Sequence, residues 1–158
     1  MRKLTNLLPI LFITIFFSCG NEKSKSDKLK EQFEVKQPTS LAEAEANWKD
    51  YHGVGPVSEL TLPSEINQEM STKGQEIFEA KCTACHKIEK KFIGPSPKGI
   101  LERRNPDWIM NMILNPEGMV AKDDLAKQLL IAFNGSPMAN QNLTEEEARA
   151  VLEYFRTL

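Results

Sequence analysis

The sequence predicts an all-α fold for its C-terminal region, residues 69–158. Apolar residues recur there with the period of amphipathic helices. No two segments of this region alternate as a pair of neighbouring strands would. Helix-start signals precede several of the periodic segments. These three observations together favour a single bundle of helices over a mixed or all-β domain.

Each helix has its own local signals. Asn105 and Pro106 supply an N-cap and a proline at the first helical position. Thr144 and Glu147 have the spacing of a capping box, so the last helix begins at Thr144. The predicted helices cover residues 71–82, 106–115, 123–133 and the segment from Thr144 onward.

Residues 82–86 read Cys-Thr-Ala-Cys-His, a C-x-x-C-H motif. Two thiols three positions apart can each add to one vinyl group of a single haem, and the histidine that follows can then ligate the iron. We therefore predict one covalent haem c, attached through Cys82 and Cys85, with His86 as an iron ligand. A zinc ribbon would need a second ligand pair, and a thioredoxin-type site gives no reason for the histidine.

The N-terminus has the pattern of an export signal. Arg2 and Lys3 precede the apolar run 7–17, whose eleven residues are fewer than the roughly 20 of a spanning helix. Ser18 and Cys19 follow this run and resemble a bacterial lipobox, although Phe16 departs from the usual leucine. We expect residues 1–18 to be a lipoprotein signal peptide and Cys19 to be lipidated. An ordinary secretory signal with an incidental cysteine is the alternative.

The rest of the chain divides into three parts. Residues 19–39 are polar and predict a flexible tether. Residues 40–68, the linking arm, begin with a short helix and either pack on the domain or extend the stalk. The formal net charge of −2 becomes −4 when Arg2 and Lys3 are removed with the signal, which excludes a nucleic-acid binder.

Several local patterns in residues 69–158 resemble class I (mitochondrial-type) cytochromes c. Gly74 precedes the haem motif as it does in that family, Ile93-Gly94-Pro95 is similar to the loop behind the histidine, and 114–116 (Leu-Asn-Pro) is similar to the end of the middle helix. The resemblance implies helices wrapped around one covalently attached haem. It also implies that the Pro95 carbonyl accepts a hydrogen bond from His86. Gly74 would let the last helix cross closely, at Val151, Leu152, Tyr154 and Phe155.

The resemblance places the sixth iron ligand in a loop before the last helix, where this chain has Met138. A thioether stabilises ferrous iron, and Pro137 stiffens the loop that would hold it. Met119, expected in a loop, is the rival ligand. Met110 and Met112 have the spacing of core residues, and His52 is expected to be a solvated residue before a turn.

The sequence also suggests which polar and apolar residues surround the haem. The resemblance points to Arg103 as a propionate partner, with Arg104 beside it, and Trp108 could donate its indole N–H to the same group. Two solvated arginines are the alternative. The apolar residues expected to face the haem are Phe92, Ile93, Ile100, Trp108 and Met112.

Together these features predict a one-electron carrier, not an enzyme, lipid-anchored in the bacterial periplasm. Its expected partners are envelope redox proteins such as a nitrous oxide reductase or a terminal oxidase. Residues 81–104 contain seven basic and two acidic side chains, which predicts a basic rim that steers docking. The alternatives are an accessory or gas-sensing haem protein, or a small peroxidase-like enzyme with a labile sixth ligand.

Overall fold

The computed structural model describes residues 40–46 and 48–158. The signal peptide, the predicted lipidation site Cys19 and the tether up to residue 39 lie outside the described residues. Within the described part the regular elements are helical, with no strand. They are α1 (Leu41–Ala46), a 3-10 turn (Trp48–Asp50), α2 (Gln68–Lys81), a second 3-10 turn (Ile100–Glu102), α3 (Pro106–Leu114), α4 (Pro116–Lys122), α5 (Asp124–Ala132) and α6 (Glu145–Phe155).

The predicted helices of the domain are confirmed, with small shifts at their ends. The first begins at Gln68, earlier than predicted, because the Asn67 side chain accepts the N–H of Met70 and caps the helix there. The capping box of the last helix is formed in both directions between Thr144 and Glu147. Among the described helices, none is long and apolar enough to cross a membrane.

The helix α4 was not predicted, and Met119 lies in it instead of in a loop. Asn115 ends α3 and also caps α4, since its side chain accepts the N–H of Gly118 at 3.2 Å. Pro116 then occupies the first helical position, where no amide hydrogen is needed. The Asn-Pro pair therefore stops one helix and starts the next.

The crossing of α2 and α6 forms the centre of the core. A Cβ atom at Gly74 would stand 1.9 Å from the carbonyl oxygen of Ala150, so only glycine permits this backbone contact. Next to the crossing, the Phe78 ring packs on those of Tyr154 and Phe155, with centroids 5.8 and 5.6 Å away. The atoms of α6 nearest to Gly74 belong to Ala150 and Val151, and Val151 is one of the crossing partners that the resemblance implied.

The linking arm packs on the domain from Tyr51 onward, where Tyr51 and Val57 are buried. The Asn111 side chain of α3 accepts the Val57 N–H at 3.0 Å and donates to the Val57 carbonyl at 2.8 Å. At the other end of the arm, the Arg156 guanidinium donates to the carbonyls of residues 63–65. The arm thus forms a second layer over α3, and residues 51–67 do not continue a free stalk.

Candidate functional site

The C-x-x-C-H motif lies where α2 ends. The amide of Cys82 still donates to the Phe78 carbonyl as the last helical bond. The Cys82 carbonyl then accepts the N–H groups of Cys85 at 3.1 Å and His86 at 2.9 Å, which makes one further tight turn. This turn brings Cys82, Cys85 and His86 to the wall of one cavity. No disulfide joins Cys82 to Cys85, and burial raises the pKa of the Cys82 thiol.

The ring of His86 is fixed by the loop that follows the motif. Its Nδ1 lies 2.8 Å from the Pro95 carbonyl oxygen, which can only accept, so Nδ1 carries the proton and Nε2 keeps its lone pair. Gly94 lies against the ring, where a Cβ atom would be 2.5 Å from His86 Cε1. The Gly94 amide donates to the Cys85 carbonyl at 2.9 Å and anchors this loop to the motif. The His86 ring is therefore ready to bind a metal through Nε2.

The cavity has a volume of about 390 Å³ and a mainly apolar wall. Residues of α3, of α5 with the loop after it, and of α6 contribute to its wall. The residues that line it include Ile93, Pro95, Ile100, Ile109, Met112, Ile113, Val120, Leu129, Leu130, Phe133, Met138, Leu143 and Phe155. A flat apolar cofactor held by two thiols fits this space, because the walls are hydrocarbon and the polar groups are few.

Two methionines of the described chain, Met112 and Met138, line this cavity. Met138 belongs to the irregular loop between α5 and α6, as the resemblance implied. Met119 is fully buried on α4, and its sulfur accepts the N–H of Val54 at 3.0 Å. Met119 is not among the lining residues, so its thioether serves the linking arm and not the cavity.

The loop that carries Met138 is shaped by left-handed residues at its ends. Asn134 and Gly135 have positive φ angles of 59° and 71° and end α5. Asn142, with φ of 51°, precedes α6, and its N–H donates to the Asn140 side chain at 2.8 Å. Residues 136–139, which lie between these two turns, line the cavity.

Both arginines predicted near the haem reach the cavity wall. Arg103 donates to the carbonyls of Ser96 at 2.7 Å and Lys98 at 2.9 Å. A guanidinium has five donors, so these two bonds leave others to face the cavity. Arg104 is buried, with its guanidinium carbon 5.7 Å from the centre of the Trp108 ring. Arg104 is therefore not a solvated residue, whereas Arg103 is partly exposed.

Two predicted contacts need correction. Trp108 lines the cavity, but its indole N–H donates to Asp123 Oδ1 at 3.3 Å and is not directed to a propionate. Phe92 is 49 % exposed and lies outside the cavity, with the Lys87 ammonium 5.3 Å from its ring centre. Ile93, Ile100 and Met112 line the cavity as expected.

His52 does not reach the cavity either. Its Nδ1 lies 2.7 Å from Asp107 Oδ2, on the side of α3 that the linking arm covers. The His52 side chain is 46 % exposed and the carboxylate is 2 % exposed. His52 is thus partly solvated, as predicted. It also pairs with the buried Asp107 carboxylate, a contact that no sequence pattern predicts.

Comparison with known proteins decides the family. The family description "Cytochrome c" matches residues 71–158, more than half of the chain. The chain belongs to the cytochrome c family. Its all-α architecture is that of class I, and as a member with a single attachment motif it holds one covalent haem c. Haem-based electron transfer with redox partner proteins is the general function of this family.

The similar proteins are small haem proteins of bacteria. Cytochrome c-551 of Ectopseudomonas mendocina is 28 % identical over 86 residues, which are 54 % of this chain and 96 % of that protein. A cytochrome c from Rhodothermus marinus is 41 % identical with a TM-score of 0.63, covering 65 % of this chain and 88 % of that one. An engineered form of it, bound to a carbene intermediate, is 40 % identical with a TM-score of 0.60 and covers the same shares of the two chains.

The hydrogen bond from the Trp108 indole to Asp123 was not predicted from the sequence. Asp123 stands at the start of the predicted third helix, so its role as an N-cap was readable. The Trp108 indole, which donates to the same Asp123 oxygen, lies fifteen residues away in the sequence and on another helix. No local sequence pattern connects these two residues.

Proposed function

We propose that this cytochrome c is a one-electron carrier with His86 and Met138 as its two axial iron ligands. The haem is attached through Cys82 and Cys85. The observation that carries the proposal is that a single apolar cavity has the two thiols, the oriented imidazole and the Met138 loop on its walls. The family supplies the cofactor, and the cavity is the space of this chain that suits it.

The surroundings of the cavity favour reduced iron. A thioether ligand stabilises the ferrous state, and the apolar walls disfavour the extra positive charge of ferric iron. The hydrogen bond from His86 Nδ1 to Pro95 makes the imidazole a stronger donor and opposes this effect in part. Arg103 and Arg104 offer cations to the haem propionates at the cavity wall.

With both axial positions filled, the iron has no site for a substrate, and electron exchange is the chemistry that remains. This is the reason for proposing a carrier and not an enzyme. The second candidate is a haem protein with a labile sixth ligand, which would bind a gas or react with peroxide. The engineered Rhodothermus marinus protein bound to a carbene intermediate gives this candidate its support.

We place the carrier in the bacterial envelope, held at the membrane by a lipid on Cys19 after removal of residues 1–18. The apolar segment 7–17 and the serine-cysteine pair after it support this assignment. A tether raises the effective concentration of the domain near membrane redox complexes. A nitrous oxide reductase or a terminal oxidase is the proposed acceptor.

The basic segment 81–104 is the proposed docking rim. Lys87 and Lys91 stand over the Phe92 and Phe133 rings, at 5.3 and 4.2 Å from the ring centres. Ile93 of the same segment is 46 % exposed and also lines the cavity. An acidic partner would meet apolar contacts bordered by lysines at this place.

The test is a potentiometric titration of the purified holoprotein, followed by exposure of its ferrous form to carbon monoxide. A carrier gives a reversible one-electron transition, and its ferrous spectrum does not change when the gas is added. Ready binding of carbon monoxide by the wild type would show an exchangeable ligand and would support the sensor or enzyme instead.

A further inference from the structure

Asp123 is a carboxylate buried directly behind the haem cavity. None of the residue is exposed to solvent. Its Oδ1 accepts the N–H of Ala126 at 2.7 Å and the indole N–H of Trp108 at 3.3 Å. Its Oδ2 is buried and has no hydrogen-bond partner among the residues that the structure describes.

Capping of α5 accounts for only one of these oxygens. An N-cap needs one acceptor for the amides of the first turn, and Asp123 Oδ1 supplies it. Serine or asparagine would cap this helix about as well without a charge. The buried second oxygen makes the ionised form costly, because a carboxylate away from water needs partners on both oxygens. Burial accordingly raises the pKa of Asp123, against the lowering effect of hydrogen bonds from the Ala126 and Leu125 amides and the Trp108 indole.

Asp123 lies next to residues that line the cavity in which the haem would be held. Both of its hydrogen-bond partners, Trp108 and Ala126, line the cavity. Val120, three residues before Asp123, lines it as well. In such a poorly solvated place the charge of the iron acts on the carboxylate with little screening.

We propose that Asp123 binds a proton when the haem iron is reduced and releases the proton when the iron is oxidised. The iron gains one electron from its donor, and its charge falls by one. The carboxylate takes one proton from solvent and becomes a neutral carboxylic acid, so the two charges change together. The inference rests on the one-electron function proposed above.

The physical reason is the loss of a favourable charge. Ferric iron carries one more positive charge than ferrous iron and thus favours an anion behind the cavity wall. After reduction this attraction is gone, while the cost of burying the anion remains. The proton affinity of Asp123 is then higher in the ferrous protein, and by reciprocity the reduction potential depends on pH.

Other charged groups lie on the elements around Asp123. The neighbouring carboxylate Asp124 adds to the repulsion and raises the pKa of Asp123. Arg104 stands over the Trp108 ring, with its guanidinium carbon 5.7 Å from the ring centre. The remaining charged groups on the surrounding elements are Glu43 on α1, Asp107 paired with His52 on α3, Glu117 and Lys122 on α4, and Lys127 on α5. Because these other charged groups surround Asp123, the test compares variants and does not rest on the wild-type curve alone.

The experiment measures the reduction potential of the holoprotein against pH for wild type, Asp123→Asn and Asp124→Asn. Asparagine retains the cap, and Asp124→Asn makes the same charge change at an exposed neighbour. At low pH the wild type and Asp123→Asn should agree, because Asp123 is then neutral in both oxidation states. At higher pH the wild-type potential should fall below that of Asp123→Asn. A tenfold difference in proton affinity between the oxidation states corresponds to about 59 mV.

Asp124→Asn should keep a fall in potential with rising pH, displaced to lower pH because the repulsion that raises the pKa of Asp123 is removed. If Asp123→Asn keeps this fall too, the proposal is wrong. As a second measurement, an indicator dye in unbuffered solution counts protons taken up on reduction, and the wild type should take up more than Asp123→Asn. Equal uptake by the two proteins would also overturn the proposal.

Trp108→Phe provides an independent variant should Asp123→Asn fail to fold. It removes one hydrogen bond to the Asp123 anion, so the fall in potential should move to higher pH. An unmoved curve contradicts the assignment.

The carrier proposal and the Asp123 proposal fail in different ways. Without a reversible one-electron couple the carrier function itself is wrong, whereas a reversible couple with unchanged pH dependence removes only the role of Asp123.

Discussion

Glu153 is a buried carboxylate on α6 that holds the linking arm to the domain. It forms ion pairs with Arg149 and Arg156, and it accepts the N–H of Asn67 at 2.7 Å. Burial opposes ionisation of this group, but the Asn67 amide and the two guanidinium groups outweigh burial and hold the pKa of Glu153 below its usual range. Its charge therefore stabilises the folded state.

We expect Glu153→Gln to lower the free energy of unfolding at neutral pH by about 3 kcal/mol, because it removes a buried carboxylate that is the charge partner of two mostly buried guanidinium groups. A carboxylate with a lowered folded pKa stabilises the protein above its unfolded pKa, about 4.3, and this stabilisation is lost as the pH falls through the folded value. The difference between wild type and variant should therefore shrink below about pH 4. Urea unfolding of both proteins at several pH values measures this difference in the free energy of unfolding.

Glu146→Gln on the same helix is the matched control. Its pair with Lys73 at 2.9 Å is exposed, so its loss should cost less than about 1 kcal/mol. A Glu153→Gln variant that loses no more than this control, or whose loss is independent of pH, would show that the buried pairs contribute little.

At the residue scale, the sequence could predict the groups of the site whose roles depend on local spacing. The two thiols and His86 follow from a five-residue motif, and the positions of Pro95 and Met138 at the cavity follow from loop order within a resemblance. The indole bond of Trp108 and the exposure of Phe92 depend on which helix packs opposite, and single-residue patterns carry no such information.

At the scale of elements, the contact of α2 with α6 depends on one glycine. In most helix interiors, replacing glycine by alanine stabilises by about 1 kcal/mol. At Gly74 the new Cβ would meet backbone and not a movable side chain. We expect Gly74→Ala to destabilise the protein by about 1–3 kcal/mol, since the two helices must separate. Thermal unfolding of the holoprotein measures the change.

Gln75→Ala, at the exposed next position of α2, should leave the unfolding temperature nearly unchanged. A Gly74→Ala variant as stable as this control would mean that the helices cross with more room than the structure gives them.

The helix ends illustrate how far the sequence determines elements. Capping residues placed the starts of α3 and α6 to within a residue or two, because caps act over three or four positions. The apolar spacing of its residues placed α5 equally well. The capping rule gave the wrong result at Asn115 and Pro116, where one asparagine caps two helices in opposite directions. After the Asn115-Pro116 pair the chain continues as helix because Met119 is buried there. Burial of this kind is a tertiary effect that local sequence does not determine.

At the scale of the whole molecule, the charge distribution predicts how the domain meets other molecules. Reversing Lys87 and Lys91 to glutamate should slow oxidation of the ferrous protein by anionic ferricyanide about tenfold at low salt, because the rim no longer attracts the anion. The effect should vanish at high salt, where charges are screened. Stopped-flow absorbance measures the rate.

The matched control reverses Lys122 and Lys127, which lie outside the segment 81–104 and make the same change in net charge. If both double variants slow the reaction equally, net charge and not the rim governs the encounter. A cationic oxidant such as a tris(phenanthroline)cobalt(III) complex should show the reverse effect at the rim.

Axial ligation of the iron by His86 and Met138 is the central claim, and visible spectroscopy tests it most directly. The spectra of oxidised and reduced holoprotein are compared for wild type, Met138→Ala and Met119→Leu. We expect a sharp low-spin reduced spectrum and a weak red methionine-to-iron band in ferric wild type. The band should persist in Met119→Leu and disappear in Met138→Ala. A band that survives in Met138→Ala, or a high-spin wild-type spectrum, would contradict the account.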